Sequence, residues 1–108
     1  MNANDYQYSA TKTAIYPEAG TGSNRELYYL AMGMAGEAGE LAGKISKLYR
    51  DGTINHQDLG KECGDVLWYV ALMAKALGYN LSNIMEANLT KLNRRKESGT
   101  LSGSGDNR

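Results

Sequence analysis

Residues 24–50, NRELYYLAMGMAGEAGELAGKISKLYR, decide the fold class, because their apolar residues recur every three or four positions. This recurrence is the period of an α-helix with one apolar face, not the alternation of a β-strand. The apolar positions are Leu27, Leu30, Met34, Leu41, Ile45 and Leu48. Asn24 is a candidate N-cap and Gly52 a stop, so the stretch predicts one long amphipathic helix that ends at about Arg50, despite its internal glycines.

The same periodicity continues after a turn through residues 51–53. Asn55 is a plausible cap for a third helix that extends to about Leu77 and stops at Gly78. A fourth helix is predicted from near Asn80 to about Lys96. Its apolar positions are Leu81, Ile84, Met85, Leu89 and Leu92, whereas those of the third helix are Leu59, Val66, Tyr69, Val70, Met73 and Leu77.

Before the long helix, residues 4–16 are mildly helical in composition and Pro17 opens a loop. No strand-like alternation competes, so the fold class is all-α. The short connections predict an antiparallel bundle of about four helices. We expect residues 1–108 to form a single domain with a Gly/Ser-rich C-terminal tail at residues 97–108.

Composition excludes several classes of protein. A chain of 108 residues buries a thin core, and its apolar bulk is largely Tyr and Met with no Phe, so we expect a homo-oligomer, a tetramer built from dimers or a dimer. Twelve basic residues balance twelve acidic ones, which gives no reason to expect a nucleic acid or a membrane as partner. The single cysteine, Cys63, excludes an internal disulfide. No signal peptide or apolar run of membrane-spanning length is present, and the cytoplasm is the expected location.

Four acidic residues fall on the apolar faces of the two central helices. Glu37 lies three residues after Met34, with Glu40 one turn later, and Glu62 and Asp65 repeat the spacing on the next helix. Ionised carboxylates that face a core cost several kcal/mol each unless something compensates them. An all-oxygen set of this kind selects Mg²⁺, or Mn²⁺ in its place.

These acids have two other interpretations. They can simply decorate solvated helix faces, although two pairs on apolar stripes argue against it. A ferritin-like di-iron bundle also gathers carboxylates from helices, but it needs Glu-x-x-His pairs, which are absent from this sequence.

Two segments carry a family resemblance: GMAGEAGELAGKISKLYRDG at residues 33–52 and LGKECGDVLWYVALMAKALG at residues 59–78. With their Glu-x-x-Glu and Glu-x-x-Asp pairs, they resemble the MazG-type pyrophosphohydrolases of the all-α NTP pyrophosphatase superfamily. The resemblance extends to SATKTAIYP (9–17), NLTKLNRRK (88–96) and the ending GTLSGSGDNR (99–108), which is similar to short, phage-type members.

The resemblance implies hydrolysis of a (deoxy)nucleoside triphosphate to the monophosphate and pyrophosphate, with Mg²⁺ as cofactor. It assigns the metal ligands and catalytic groups to Glu37, Glu40, Glu62 and Asp65, with Glu37 or Glu40 as the base. A purine nucleotide such as dGTP is the substrate that phage-type relatives suggest.

Basic side chains are expected to bind the triphosphate. The candidates are Lys44 and Lys47 after Glu40, Lys91 and Arg95 in a Lys-Leu-x-x-Arg pattern typical of the family, Asn88 one turn earlier, and Arg108 in the tail. Each of the charged side chains on the helices can instead simply be exposed to solvent. Trp68, Tyr69, Thr13 and Tyr16 are candidates to flank a base or sugar, with core or interface packing as the alternative.

Two other functions stay open. A dUTPase-like or dCTPase-like member of the superfamily would use the same mechanism on a nucleotide with a different base. A noncatalytic helical module would use the acids to bind a structural cation or a basic partner.

Overall fold

The computed structural model describes residues 1–106, which contain four α-helices and no strand. The helices are α1 (Ala3–Thr11), α2 (Asn24–Asp51), α3 (His56–Ala76) and α4 (Leu81–Ser98). This confirms the predicted all-α class and the number of helices. Arg108, a predicted substrate-binding residue, lies outside the described residues.

Capping side chains and glycines set the ends of the two long helices. Ser23 caps α2 by accepting a hydrogen bond from the Glu26 amide at 3.2 Å, so the prediction of Asn24 as the cap is wrong by one residue. Gly52 ends α2 in the left-handed region at φ 78°. Asn55 caps α3 as predicted, accepting from the amides of Gln57 and Asp58.

The N-terminal helix is shorter than residues 4–16, because α1 ends at Thr11. A residue that precedes proline is disfavoured in helical conformation, and Tyr16 precedes Pro17. Tyr16 is buried in the core, where its ring stacks on Tyr29 with centroids 4.3 Å apart. The chain therefore departs from helical conformation before Pro17, and this places the Tyr16 ring in the core.

Helix α3 is the centre of the fold, since α1, α2 and α4 all pack against it. Gly33 of α2 meets Tyr69 of α3, and Lys44 of α2 meets Glu62 of α3, so the two helices run antiparallel. A Cβ at Gly33 would stand 2.2 Å from Tyr69 Cε1, so the close approach of the helices requires glycine there. The core near this crossing is small and consists of Ala10, Tyr16, Leu30 and Leu72.

Two buried polar side chains, Gln7 and Glu26, join helices to other segments of the chain. Gln7 is 4% exposed and donates to the carbonyls of Ala71 and Tyr79 while its own oxygen accepts from the Leu81 amide. Glu26 is 2% exposed and accepts hydrogen bonds from Tyr16 Oη at 2.7 Å and from the amides of Gly20 and Gly22. Burial works to raise the pKa of Glu26, but these hydrogen bonds outweigh it and hold the pKa below its usual value.

Much of the predicted apolar stripe of α2 is not buried. Leu30 is fully buried, whereas Ile45 and Leu48 are 46% and 39% exposed in the second half of the helix. Large apolar side chains are also exposed elsewhere on α2 and on α4; they include Tyr28, Met32, Tyr49, Met85 and Leu89. Among residues 1–106, no helix is long and apolar enough to cross a membrane.

Two glycines of α2 give a matched test of the helix crossing. The Tyr69 ring is held against Trp68, with centroids 5.0 Å apart, so it has little freedom to yield to a methyl group at Gly33. We expect Gly33→Ala to lower the free energy of unfolding by about 1–3 kcal/mol, measured by urea denaturation. Gly36→Ala, which meets nothing within 4 Å, should raise it by up to about 1 kcal/mol through helix propensity. Equal effects of the two substitutions would contradict this account of the crossing.

Candidate active site

Three carboxylates from α2 and α3 converge at one place. One oxygen each of Glu37, Glu40 and Glu62 lies within 4.8 Å of the others. Glu37 and Glu40 share a face of α2 because they are three residues apart, and the antiparallel pairing sets Glu62 opposite them. The structure therefore brings together three of the four predicted metal ligands.

The surroundings of these carboxylates fit a divalent cation. Glu37 Oε2 and Glu62 Oε2 are buried and have no hydrogen-bond partner among the described residues. Burial, followed by the charges of Glu40, Asp65 and Glu62, raises the pKa of Glu37. A cation bound to these oxygens would satisfy them and offset the repulsion, and an all-carboxylate set favours Mg²⁺ or Mn²⁺.

Asp65 lies beside this trio without belonging to it. Its side chain is exposed, and its oxygens are not among the three that converge within 4.8 Å. It lines a cavity together with Glu37, and its charge contributes to the raised pKa of Glu37. The fourth predicted ligand is therefore adjacent to the cluster.

The two predicted phosphate-binding lysines of α2 have different surroundings. Lys44 Nζ donates to Glu62 Oε1 at 2.7 Å. This hydrogen bond, opposed by burial, lowers the pKa of Glu62, and in turn it raises the pKa of Lys44. Lys47 lines a smaller cavity of about 230 Å³ that it shares with Lys44, Asp51 and Asp58. One of the two lysines therefore contacts the acidic cluster directly.

The predicted basic residues of α4 are engaged with the tail. Lys91 Nζ and Arg95 Nη2 donate to the same oxygen of Asp106, at 3.0 Å and 3.2 Å. Arg95 is only 3% exposed, and Asn88 is exposed. Within residues 1–106, α4 packs on α1 and α3 and not on α2, so the structure does not bring these three side chains to the acidic cluster.

An aromatic cavity of about 430 Å³ adjoins the carboxylates. Its lining consists of Tyr6, Thr13, Glu37, Gly64, Asp65, Trp68 and Tyr69. Trp68 Nε1 donates to Thr13 Oγ1 at 2.8 Å, which fixes the indole ring in the wall. Tyr16 does not line this cavity.

Sequence reasoning missed Tyr6. Burial, and after it the charge of Asp65, raises the pKa of the Tyr6 phenol, which places the two groups near each other. No local signal could have found Tyr6, because it reaches the cavity through the packing of α1 on α3, about sixty residues away along the chain.

Comparison with known proteins agrees with this geometry. The family model described as MazG nucleotide pyrophosphohydrolase domain matches residues 26–100, more than half of the chain. The chain is also 49% identical over 114 aligned positions to the Gene 37 protein of Mycobacterium phage L5, covering all of both chains. No solved structure matches the chain significantly. The matched segment contains all four predicted acidic ligands, and the chain belongs to the MazG nucleotide pyrophosphohydrolase domain family.

Proposed function

We propose that the protein hydrolyses nucleoside triphosphates between the α and β phosphates, releasing the monophosphate and pyrophosphate, in a reaction that depends on Mg²⁺. The observation that carries this proposal is the convergence of Glu37, Glu40 and Glu62, whose buried oxygens include two without a partner among the described residues. Membership of a family of nucleotide pyrophosphohydrolases supports a hydrolase. Nucleoside triphosphates are cytoplasmic, so we place this activity in the cytoplasm, that of an infected host if the chain is phage-encoded as its relative is.

The four acids are proposed to hold the metal: Glu37, Glu40, Glu62 and Asp65. When bound, Mg²⁺ neutralises charge on the phosphates and lowers the pKa of the attacking water. Glu37 is the better candidate for the base, because it borders the aromatic cavity and can meet water beside a bound nucleotide.

The aromatic cavity is proposed to receive the base and sugar. Trp68 and Tyr69 offer flat faces on which a base can stack, and Tyr6 brings a hydroxyl group as a hydrogen-bond partner. Because stacking increases with ring area, a purine such as dGTP is our preferred substrate. The alternatives dUTP and dCTP keep the same mechanism.

An oligomer is proposed to complete the site. Met32 and Tyr49 of α2 are 77% and 99% exposed, and a second copy of the chain would cover such apolar residues. We favour a tetramer built from dimers, with a dimer as the alternative. The basic residues of α4 do not reach the acids of their own protomer, so we propose that they serve the site of a neighbouring copy.

The separation of the acids from the basic residues of α4 within one protomer also favours a second candidate, a noncatalytic module that binds a structural cation or a basic partner. Such a module would bind metal without turning over any nucleotide.

Pyrophosphate release separates these candidates. We expect the protein with Mg²⁺ to release pyrophosphate from at least one triphosphate in a panel of (d)NTPs, with dGTP the fastest. Turnover of dUTP or dCTP alone would move the assignment to those substrates. No release from any nucleotide would favour the noncatalytic module.

The metal ligands can be tested by charge removal at nearly constant volume. Glu40→Gln and Asp65→Asn should each lower kcat/KM by about 100-fold or more, because metal stabilisation of the transition state amounts to several kcal/mol. Glu18→Gln, an exposed carboxylate in the loop before α2, is the matched control and should keep wild-type activity. Near-native activity in either cluster variant would remove that residue from the ligand set.

The contact of Asp106 with α4 generates a separate prediction. If Lys91 and Arg95 bind phosphate, the Asp106 carboxylate occupies their donors and must give way, which its own exposure permits. We expect Asp106→Asn to lower KM by up to about fivefold at unchanged kcat, since an ion pair with an exposed carboxylate is worth up to about 1 kcal/mol. Lys91→Ala should raise KM, and Ser102→Ala serves as the tail control. A higher KM for Asp106→Asn would mean that the tail assists binding.

A further inference from the structure

The ion pair between Lys44 and Glu62 differs from an ordinary surface ion pair because one of its partners is buried. Glu62 is 8% exposed, whereas the Lys44 side chain reaches it from a position that is 41% exposed. Lys44 lies one turn after Glu40, so it spans the gap between α2 and α3 at the acidic cluster. A buried carboxylate that loses its counter-ion incurs a large desolvation cost, so this ion pair stabilises the charged form of Glu62.

The two oxygens of Glu62 have unlike surroundings. Oε1 accepts the hydrogen bond from Lys44 at 2.7 Å. Oε2 is buried and has no partner among the described residues. The lysine therefore occupies one oxygen and leaves the other available, within a group of carboxylates that already converge.

We propose that Lys44 is a positioning residue, which holds Glu62 through Oε1 so that Oε2 is presented to a divalent cation. This inference rests on the proposed function, and it deepens it by removing Lys44 from the phosphate-binding set. Partners that orient a metal ligand through its second polar atom commonly affect metal affinity tenfold to a hundredfold.

The alternative role for Lys44 is the one that its sequence position suggests, a direct ligand of the triphosphate. The hydrogen bond to Glu62 uses one of the three donors of the Lys44 ammonium group, so a phosphate could be bound by another donor or after that hydrogen bond breaks. The two roles differ in a measurable way, because a phosphate ligand does not strengthen metal binding when nucleotide is absent.

The sign of the metal effect identifies the role. Removal of a positive charge beside a cation site tightens cation binding by Coulomb's law alone. A loss of affinity in a variant that remains folded therefore has the opposite sign to the direct charge effect and indicates loss of orientation. Lys61 is adjacent to Glu62 in sequence and exposed, so Lys61→Met removes a comparable charge without touching this hydrogen bond and is the matched control.

The experiment is titration of nucleotide-free protein with Mn²⁺, followed by the electron paramagnetic resonance signal of the free ion. We expect Lys44→Met to weaken Mn²⁺ binding about tenfold and Lys44→Arg to restore most of the affinity, because arginine can still donate to Oε1. Lys61→Met should bind Mn²⁺ as the wild type does or slightly more tightly. Circular dichroism checks folding, and Lys44→Ala replaces Lys44→Met if the latter does not fold.

Unchanged or tighter Mn²⁺ binding in Lys44→Met would overturn the positioning role. If that result came with a raised KM for the triphosphate, Lys44 would be a phosphate ligand. Absence of Mn²⁺ binding by the wild-type protein would instead reject the metal site itself, and with it both proposals. The wild-type and variant titrations therefore distinguish failure of this inference from failure of the proposed function.

Discussion

The pairing of α2 and α3 must overcome the repulsion between the negative charges of three glutamates. Glu37, Glu40 and Glu62 converge at one place, where Glu62 is buried and Glu40 is exposed, and the mutual repulsion of their charges opposes this convergence. The apolar contacts near Leu30 and Leu72 and the close approach at Gly33 supply the attraction that keeps the helices side by side. The site is thus held in place by packing that lies elsewhere along the same two helices.

Helical periodicity predicted the elements well because the relevant interactions are local. Spacings of three and four residues place Glu37 and Glu40 on one face of α2 whatever the tertiary fold, and the same holds for Glu62 and Asp65. The N-cap of α2 was misplaced by one residue because Ser23 and Asn24 are both good caps, and only the backbone geometry chooses between them.

Contacts between helices could not be predicted from helical periodicity. Tyr6 enters the aromatic cavity, and Lys44 pairs with Glu62, through contacts between helices that no spacing along one helix encodes. Burial of Glu26 is a further example, since its partners lie in the preceding loop and not on a helix face. The exposure of Ile45 and Leu48 has a similar origin, because a periodic stripe indicates which face is apolar but not what covers it.

Two side chains of α1 hold the corner between α3 and α4. Gln7 bonds to the backbone on both sides of the turn, and Asn4 Oδ1 accepts a hydrogen bond from the Ser82 amide at the start of α4. Lys91 lies ten residues beyond Leu81, or about 15 Å along the helix axis. A rotation of α4 by about 10° at this corner would move the Lys91 ammonium group by roughly 2.6 Å, comparable to the length of a hydrogen bond. The contacts of the first helix thus help to set the position of a cationic group that lies about three turns away on α4.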